Sequence, residues 1–285
     1  EIEEAILKVA RDCNFIMGSQ IDELERNLEK FTGSKYAISC SSGTDALLLA
    51  MMALDIQPDD EIITTPFTFF ATAETIAFLK AKPVFVDIDE KTYNIDPKKI
   101  EEKISSKTKA IIPVSLYGQP ADMDEINQIA KKYNLKVIVD GAQSFGSTYK
   151  GISDSNLGDI SCTSFFPAKP LGCYGDGGAL FTNDEKLADK IKSLRLHGQS
   201  IRYHHQYIGM GGRLDTIQAA VLNVKLKYYE KDLKLRQDVA EKYTKALNAK
   251  NIETPFVKSD RTSAWAQYSI RVQNRTELQT KLQNL

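Results

Sequence analysis

Three segments of the chain hold residues whose types and spacing could support chemistry, and the first of these is Ser41-Ser42-Gly43-Thr44. Small residues at the start of a helix leave backbone N–H groups free. These groups and the helix dipole together favour a bound anion. The segment is therefore compatible with a phosphate site around Gly43 and Thr44, and also with an ordinary helix cap in which a hydroxyl serves only the helix.

The second and third segments hold Asp140 and Lys169. Asp140 closes the apolar run 137–139, where its carboxylate could pair with a cationic ring nitrogen or could cap a helix. Lys169 lies between apolar residues and the glycine-rich run 174–179. Removal from water would lower the pKa of this lysine and free its amine for a Schiff base, whereas on the surface it would be an ordinary solvated lysine.

Together these segments supply the parts that a pyridoxal 5′-phosphate (PLP) site requires. The anion loop would hold the phosphate, Asp140 would keep the pyridine nitrogen protonated, and Lys169 would bind the aldehyde. A protonated ring nitrogen matters because it makes the ring a stronger electron sink. The order of the three segments along the chain is more specific than any one of them.

The three segments fall within an alternation of short apolar runs and amphipathic stretches. Strands are predicted at 35–40, 61–65, 83–87, 110–114, 136–140 and 161–166, and helices at 22–31, 44–54, 72–79, 96–104 and 122–133. Strands separated by helices predict an α/β fold with a mostly parallel sheet flanked by helices. Ligands of such sheets bind beyond the carboxyl ends of the strands, which is where the three segments lie.

After Asp215 the pattern changes. A nearly unbroken helix is predicted over 216–249, followed by a strand-like run at 267–272. We expect residues 1–225 to form a large PLP-binding domain. Residues 226–285 are expected to form a long connecting helix and the start of a smaller C-terminal α+β domain, which is incomplete because the chain stops inside another helical pattern.

Composition narrows the class of protein. Lys plus Arg number 37 and Asp plus Glu number 38, so the formal net charge of −1 provides no bulk attraction to nucleic acid or to an anionic membrane. No apolar run reaches the roughly 18 residues of a membrane-spanning helix, and the charged first residues do not resemble a signal peptide. The four cysteines form no C-x-x-C pair and are expected to be reduced thiols, so we expect a cytoplasmic protein.

The sequence resembles the DegT/DnrJ/EryC1/StrS family of PLP-dependent sugar-nucleotide aminotransferases. The matching segments are 42–47, 66–72, 140–143, 164–169 and 212–220. The resemblance implies an aspartate-aminotransferase-like fold (fold type I). Segments 164–178, 197–200 and 202–205 resemble most closely a subgroup that aminates UDP-2-acetamido-2-deoxy-3-oxo-D-glucuronate at C3, for bacterial surface polysaccharides such as O-antigen.

The resemblance implies a role for each matched residue of the cofactor site. It makes Lys169 the catalytic lysine, Asp140 the partner of the pyridine nitrogen, and Gln143 a neighbour of the cofactor's ring oxygen. The phosphate contacts correspond to Gly43, Thr44 and Ser164. Phe69 matches the aromatic residue that stacks on the cofactor ring.

The resemblance also implies substrate contacts. Arg213 corresponds to a position that contacts the sugar nucleotide, commonly from the neighbouring subunit, which implies a homodimer with shared active sites. A guanidinium also suits a uronate carboxylate or a diphosphate, because it can bind either in a bidentate manner. Phe15 lies beside the substrate where a tyrosine is frequent, and Gly211 stands where many members carry an asparagine that reaches the phosphate across the dimer.

The implied reaction moves an amino group from L-glutamate to a UDP-linked keto-sugar. One alternative is an aminotransferase for a different 3-keto or 4-keto nucleotide-linked deoxysugar. Another is a sugar dehydratase of the same scaffold that uses pyridoxamine phosphate, but such enzymes replace the lysine with histidine, and this chain has Lys169.

Two further classes are less well supported. A dinucleotide-binding oxidoreductase would need the G-x-G-x-x-G/A fingerprint, which the run from Gly175 approaches but ends on Leu180. A regulatory protein on an aminotransferase scaffold would not need Lys169, Asp140 and Gln143 together. No metal site is expected, because the three histidines lack the usual ligand spacing.

Overall fold

A seven-stranded sheet lies at the centre of the computed structural model, which describes residues 1–284. In chain order the strands are β1 (Tyr36–Cys40), β2 (Glu61–Thr64), β3 (Lys82–Phe85), β4 (Thr108–Ile111), β5 (Lys136–Asp140), β6 (Thr148–Tyr149), β7 (Ile152–Ser153), β8 (Ile160–Ser164), β9 (Gly178–Thr182), β10 (Gln199–Ile201) and β11 (His204–His205). The order across the central sheet is β1-β9-β8-β5-β4-β2-β3, and β6–β7 and β10–β11 form separate two-stranded pairs. Neighbours in the central sheet are parallel, except that β9 is antiparallel to both β1 and β8.

Helices cover both faces of this sheet. They are α1 (Ile2–Asp12), α2 (Ser19–Thr32), α3 (Gly43–Ala53), α4 (Ala71–Phe78), α5 (Met123–Tyr133), α6 (Glu185–Arg195), α7 (Thr216–Leu226), α8 (Tyr229–Asn248) and α9 (Arg275–Gln283). Side chains alternate between the faces: Ile138 packs with α3 and α6, whereas Val137 and Val139 pack with α5. A sheet buried on both faces needs such apolar, β-branched strands. The predicted α/β fold is confirmed.

The carboxyl ends of β1, β5 and β8 lie at the same edge of the sheet, because these strands run in the same direction. Cys40 ends β1, Asp140 ends β5 and Ser164 ends β8. The segments that follow them are therefore brought together, although they are far apart in the sequence.

The structure corrects the predicted helix over 216–249, which is two helices interrupted at Lys227 and Tyr228. Directly after the interruption, the side chain of Tyr229 is buried, its hydroxyl donates to the Phe145 carbonyl at 2.6 Å and its ring stacks on Phe145. The nearly unbroken helical pattern of the sequence did not predict this break, and residues 227 and 228 themselves keep nearly helical backbone angles.

Two other predicted elements are also wrong. Residues 267–272 form no strand, and only an isolated bridge joins Arg271 to Glu253. The predicted helix at 96–104 is two short 3₁₀ helices, Pro97–Lys99 and Glu101–Lys103. Asp96 caps the first of these by accepting a hydrogen bond from the Lys98 N–H, and Pro97 takes the first helical position, where its missing N–H costs nothing.

Strand β9 was not predicted, because its first residues continue a glycine-rich run that is typical of a turn. It lies between β1 and β8 in the central sheet. Among residues 1–284, no helix is long and apolar enough to cross a membrane. All four cysteines are free thiols; Cys13 is exposed and the other three are buried.

Candidate active site

A cavity of about 500 Å³ lies at the carboxyl ends of β1, β5 and β8. It is lined by all seven residues that the sequence assigns to the cofactor, namely Gly43, Thr44, Phe69, Asp140, Gln143, Ser164 and Lys169. They come from four separate segments of the sequence, so only the folded sheet brings them together. The side chain of Phe69 is largely exposed at the cavity.

The Ser42–Thr44 turn forms one end of the cavity. Ser42 caps α3 by accepting a hydrogen bond from the Asp45 N–H at 3.0 Å. Within residues 1–284, the N–H groups of Gly43 and Thr44 donate to no other atom. The turn is thus both a helix cap and a pair of free donors at a helix N-terminus, as anion binding requires.

Gly43 lets this turn lie directly against the end of β8. A Cβ atom at position 43 would stand 2.6 Å from the Cβ of Ser164, which no real side chain tolerates. Ser164 is buried, and its hydroxyl accepts a hydrogen bond from the Phe166 N–H at 3.3 Å. Two of the three predicted phosphate contacts, Gly43 and Ser164, therefore lie directly against each other.

Asp140 is the buried acid of the cavity, with 6% of its surface exposed. The Thr72 hydroxyl donates to its Oδ2 at 2.8 Å, and the Ala142 N–H donates to its Oδ1 at 3.2 Å. Burial raises the pKa of Asp140, while these two hydrogen bonds and the charge of Lys169 act in the opposite direction. Each carboxylate oxygen still has an acceptor position for a further donor.

Lys169 lies in the turn after β8, where its N–H donates to the Phe166 carbonyl at 2.8 Å. Its side chain is half-buried and lines the cavity. Burial lowers the pKa of Lys169, and the charge of Asp140 partly offsets this effect. The cavity therefore holds a primary amine that is easier to deprotonate than a solvated lysine.

Gln143 is oriented by the backbone of a neighbouring loop. Its Oε1 accepts a hydrogen bond from the Tyr117 N–H at 2.7 Å. Tyr117 has a φ of 59°, an unfavourable left-handed conformation for a large residue. Because Oε1 is engaged, Nε2 is left as the donor for a ligand oxygen in the cavity.

The structure places Phe15 and Arg213 outside the cavity of their own chain, as neither lines it. They belong to neighbouring segments: the Phe15 carbonyl accepts from the Thr216 N–H at 3.0 Å, and Ile16 pairs with Asp215. The two predicted substrate residues therefore lie in adjoining segments, neither of which lines the cavity of the same chain.

The structure places at the site two threonines, Thr68 and Thr72, to which the sequence analysis assigned no role. Thr72 contacts Asp140, and Thr68 lies 2.9 Å from Thr72, oxygen to oxygen; both line the cavity. The segment 66–72 was recognised only as a motif with an aromatic residue, since a threonine near the start of a helix has no distinctive pattern.

The cavity fits PLP. It offers free N–H groups at a helix N-terminus for a phosphate, a buried carboxylate for a ring nitrogen and an amine for an aldehyde. Its volume lies in the usual range for small-molecule sites. In the part of the chain that is described, no group of three or more His, Cys, Asp or Glu side chains could hold a metal ion.

Comparison with known proteins agrees with this chemistry. The chain is 54% identical to the UDP-2-acetamido-2-deoxy-3-oxo-D-glucuronate aminotransferase of Pseudomonas aeruginosa over 282 residues, which are 99% of this chain and 79% of that protein. Its fold is similar to that of a DegT/DnrJ/EryC1/StrS aminotransferase from Brucella abortus, with a TM-score of 0.96 and 41% identity, over 99% of this chain and 78% of the other.

A second solved structure is DesV of S. venezuelae in complex with a ketimine intermediate. It has a TM-score of 0.97 and is 33% identical, over 99% of this chain and 76% of that chain. These neighbours are PLP aminotransferases of fold type I, which confirms the predicted fold type and cofactor. The sequence profile of DegT/DnrJ/EryC1/StrS aminotransferases matches residues 1–285. The chain therefore belongs to the DegT/DnrJ/EryC1/StrS aminotransferase family.

Proposed function

We propose that this enzyme transfers the amino group of L-glutamate to the C3 ketone of UDP-2-acetamido-2-deoxy-3-oxo-D-glucuronate. The observation that carries the proposal is the 54% identity, over 99% of the chain, to an aminotransferase named for that sugar. Lys169, Asp140 and Gln143 line one cavity, as the chemistry requires. The product is a 3-amino sugar for a bacterial surface polysaccharide.

Different residues of the cavity bind different parts of the cofactor. PLP, when bound, supplies an aldehyde that takes up and returns the amino group, together with an electron-withdrawing ring. The free N–H groups of Gly43 and Thr44 bind the phosphate, with the Ser164 hydroxyl beside them. Asp140 holds a proton at the ring nitrogen, because an ionised carboxylate in a buried site favours a cationic neighbour.

Lys169 moves the proton. Burial lowers the pKa of its side chain, so a larger fraction of the amine is neutral near pH 7 than for a solvated lysine. A neutral Nζ can accept the proton from the α-carbon of L-glutamate. The ketone carbon of the sugar carries no hydrogen, so in the second half of the reaction the protonated Nζ would donate a proton to that carbon. Its place on a short turn with the Phe166 carbonyl keeps the amine within the cavity.

The charge of the proposed substrate supports a shared site. The sugar nucleotide carries a uronate carboxylate and a diphosphate, whereas Lys169 is the one basic side chain among the described residues that line the cavity. Arg213 forms no ion pair within residues 1–284, although its guanidinium suits both anions. We therefore propose a homodimer in which the neighbouring subunit supplies Arg213 and the adjoining Phe15.

The proposed setting is the cytoplasm. Cys40, Cys162 and Cys173 are buried free thiols, as is usual for proteins of a reducing compartment.

The experiment combines the protein, PLP and L-glutamate with the 3-keto uronate, and follows the mass of the nucleotide sugar. A matched sugar has the same ketone but a CH₂OH group in place of the carboxylate. We expect amination of the uronate, and a kcat/KM at least about tenfold lower for the analogue, because a site built for a charged group rejects its neutral counterpart. Equal values would contradict uronate specificity. Reaction with L-glutamate but with neither sugar would contradict the proposed acceptor.

A further inference from the structure

Thr72 lies between the Thr68 hydroxyl and the buried carboxylate of Asp140, and all three residues line the cavity. It is fully buried near the start of α4, and its hydroxyl lies 2.8 Å from Asp140 Oδ2 and 3.3 Å from the Phe69 carbonyl. An ionised carboxylate is the stronger and nearer acceptor, so the Thr72 proton goes to Asp140. The Thr68 hydroxyl, 2.9 Å away, is then free to donate to Thr72. The three groups form a hydrogen-bonded chain that starts in the cavity.

We propose that Thr72 is a positioning residue for Asp140: its hydroxyl orients the carboxylate and stabilises the charged form that holds a proton on the ring nitrogen of PLP. The inference rests on the proposed role of Asp140, but it does not depend on which sugar is the acceptor.

Two hydrogen bonds fix the orientation of the Asp140 carboxylate. Thr72 engages Oδ2 and the Ala142 N–H engages Oδ1, so the carboxylate of Asp140 cannot rotate without losing one of them. Each oxygen keeps one further acceptor position for a ligand. A carboxylate fixed in this way is preorganised before the cofactor arrives.

The charge of the Asp140 carboxylate depends on the balance between its burial and its hydrogen bonds. Burial of Asp140 favours the neutral acid, and the Thr72 hydroxyl opposes this because its hydrogen bond to a charged carboxylate is stronger than one to a neutral acid. A donation from Thr68 polarises the Thr72 hydroxyl and strengthens its bond to Asp140. Without Thr72, a larger share of Asp140 would be protonated and unable to stabilise a cationic ring.

The same helix offers a matched control. Thr75 is as buried as Thr72, but its hydroxyl donates to the Ala71 carbonyl at 2.8 Å and it does not line the cavity. Replacing either threonine with valine removes one hydroxyl and keeps the shape of the side chain. Only the Thr72 hydroxyl contacts the cofactor site.

The test compares Thr72→Val, Thr72→Ser and Thr75→Val with the wild-type holoenzyme. The readouts are the pH midpoint of the violet absorbance of lysine-bound PLP and the single-turnover rate with L-glutamate. In Thr72→Val the midpoint should rise by about one pH unit, because a less positive ring leaves the Lys169 nitrogen more basic. The rate should fall about tenfold. Thr72→Ser should stay close to wild type, and Thr75→Val should leave both values unchanged.

A wild-type midpoint and rate in Thr72→Val would overturn the inference, as would an equal shift in Thr75→Val. If circular dichroism shows that Thr72→Val does not fold, Thr68→Val takes its place. It removes only the outer donor, and it should shift the midpoint in the same direction by a smaller amount; no shift would overturn the inference. If the wild-type protein binds PLP without a violet band, the assignment of Lys169 fails rather than that of Thr72.

Discussion

The side chain of Lys169 experiences two opposing influences. Partial burial lowers its pKa, and the nearby carboxylate of Asp140 raises it. The first effect is the larger, so the pKa of Lys169 is lower than that of a solvated lysine. Its position on the turn after β8 then brings the amine to the same cavity as the Gly43 turn.

Lys169→Ala should abolish turnover, with a loss of more than about a thousandfold, because the variant loses both the amine that binds PLP and the proton carrier. The measurement is the steady-state rate of glutamate-dependent amination, together with the melting temperature. Lys234→Ala, on the exposed surface of α8, is the matched control and should retain wild-type activity. More than trace activity in Lys169→Ala would contradict its role.

Sequence patterns located the residues that follow strands, but not the residues that support them. Asp140 could be identified because it ends a run of buried β-branched residues. Thr72 could not, because its contact with Asp140 exists only once α4 packs against the end of β5. Likewise, the location of Arg213 outside the cavity is a property of the folded chain and not of its motif.

The close packing of the Gly43 turn on β8 joins two elements that hold the same ligand. The Gly43 Cα faces the side chain of Ser164, so no other residue fits without displacing the turn or the strand. The phosphate contacts therefore depend on how these elements pack, as well as on the groups they present.

Gly43→Ala should weaken PLP binding by about tenfold or more, because overpacking by one methyl group costs about 1–3 kcal/mol. Fluorescence titration of the apoprotein with PLP measures the dissociation constant. Gly212→Ala is the control, since a Cβ there would meet its nearest neighbours at an ordinary 3.5 Å. An unchanged dissociation constant in Gly43→Ala would show that the turn does not hold the phosphate.

The parallel strands could be predicted from sequence because their apolar runs are separated by amphipathic helices. Strand β9 could not be predicted, because Gly178 at its start allows close packing and does not mark a turn. Gly178 lies so close to the Ser42 carbonyl that a Cβ would overlap with it. A glycine required for close approach and one required for a turn have the same appearance in a sequence.

The buried acid Asp154 makes the stability of the folded chain depend on pH. Asp154 is 2% exposed, accepts a hydrogen bond from Ser144, and forms no ion pair within residues 1–284. Burial raises its pKa to about 7. Since the unfolded chain titrates near pH 4, the folded state favours the protonated acid. The stability that this provides is complete below about pH 4 and is lost as the pH rises to about 7.

Asp154→Asn should remove this dependence, because asparagine keeps the shape of the neutral acid and does not titrate. Relative to wild type, its free energy of unfolding should increase between pH 4 and pH 7 by up to about 4 kcal/mol. Denaturant unfolding at pH 4.5 and pH 8 measures the difference, with the exposed Asp238→Asn as the control. If the free energies of unfolding of Asp154→Asn and wild type differ by the same amount at both pH values, the burial of a neutral Asp154 is contradicted.

A shared active site predicts complementation between inactive subunits. Lys169→Ala and Arg213→Ala should each be inactive as homodimers, since every site then lacks one residue. In a mixed dimer, one site combines the intact Lys169 of one subunit with the intact Arg213 of the other. Mixing the variants under conditions that exchange subunits should therefore restore activity, measured as sugar amination. No recovery, despite exchange observed by native mass spectrometry, would place Arg213 and Lys169 in the same subunit's site.

The most direct test of the account follows the amino nitrogen itself. L-glutamate with an isotopically labelled amino group is incubated with the holoenzyme and UDP-2-acetamido-2-deoxy-3-oxo-D-glucuronate, and the nucleotide sugar is examined by mass spectrometry. We expect the wild-type enzyme to form a 3-amino sugar that carries the label, and Lys169→Ala to form none. An unlabelled amino sugar, or a labelled one formed equally by Lys169→Ala, would contradict this expectation.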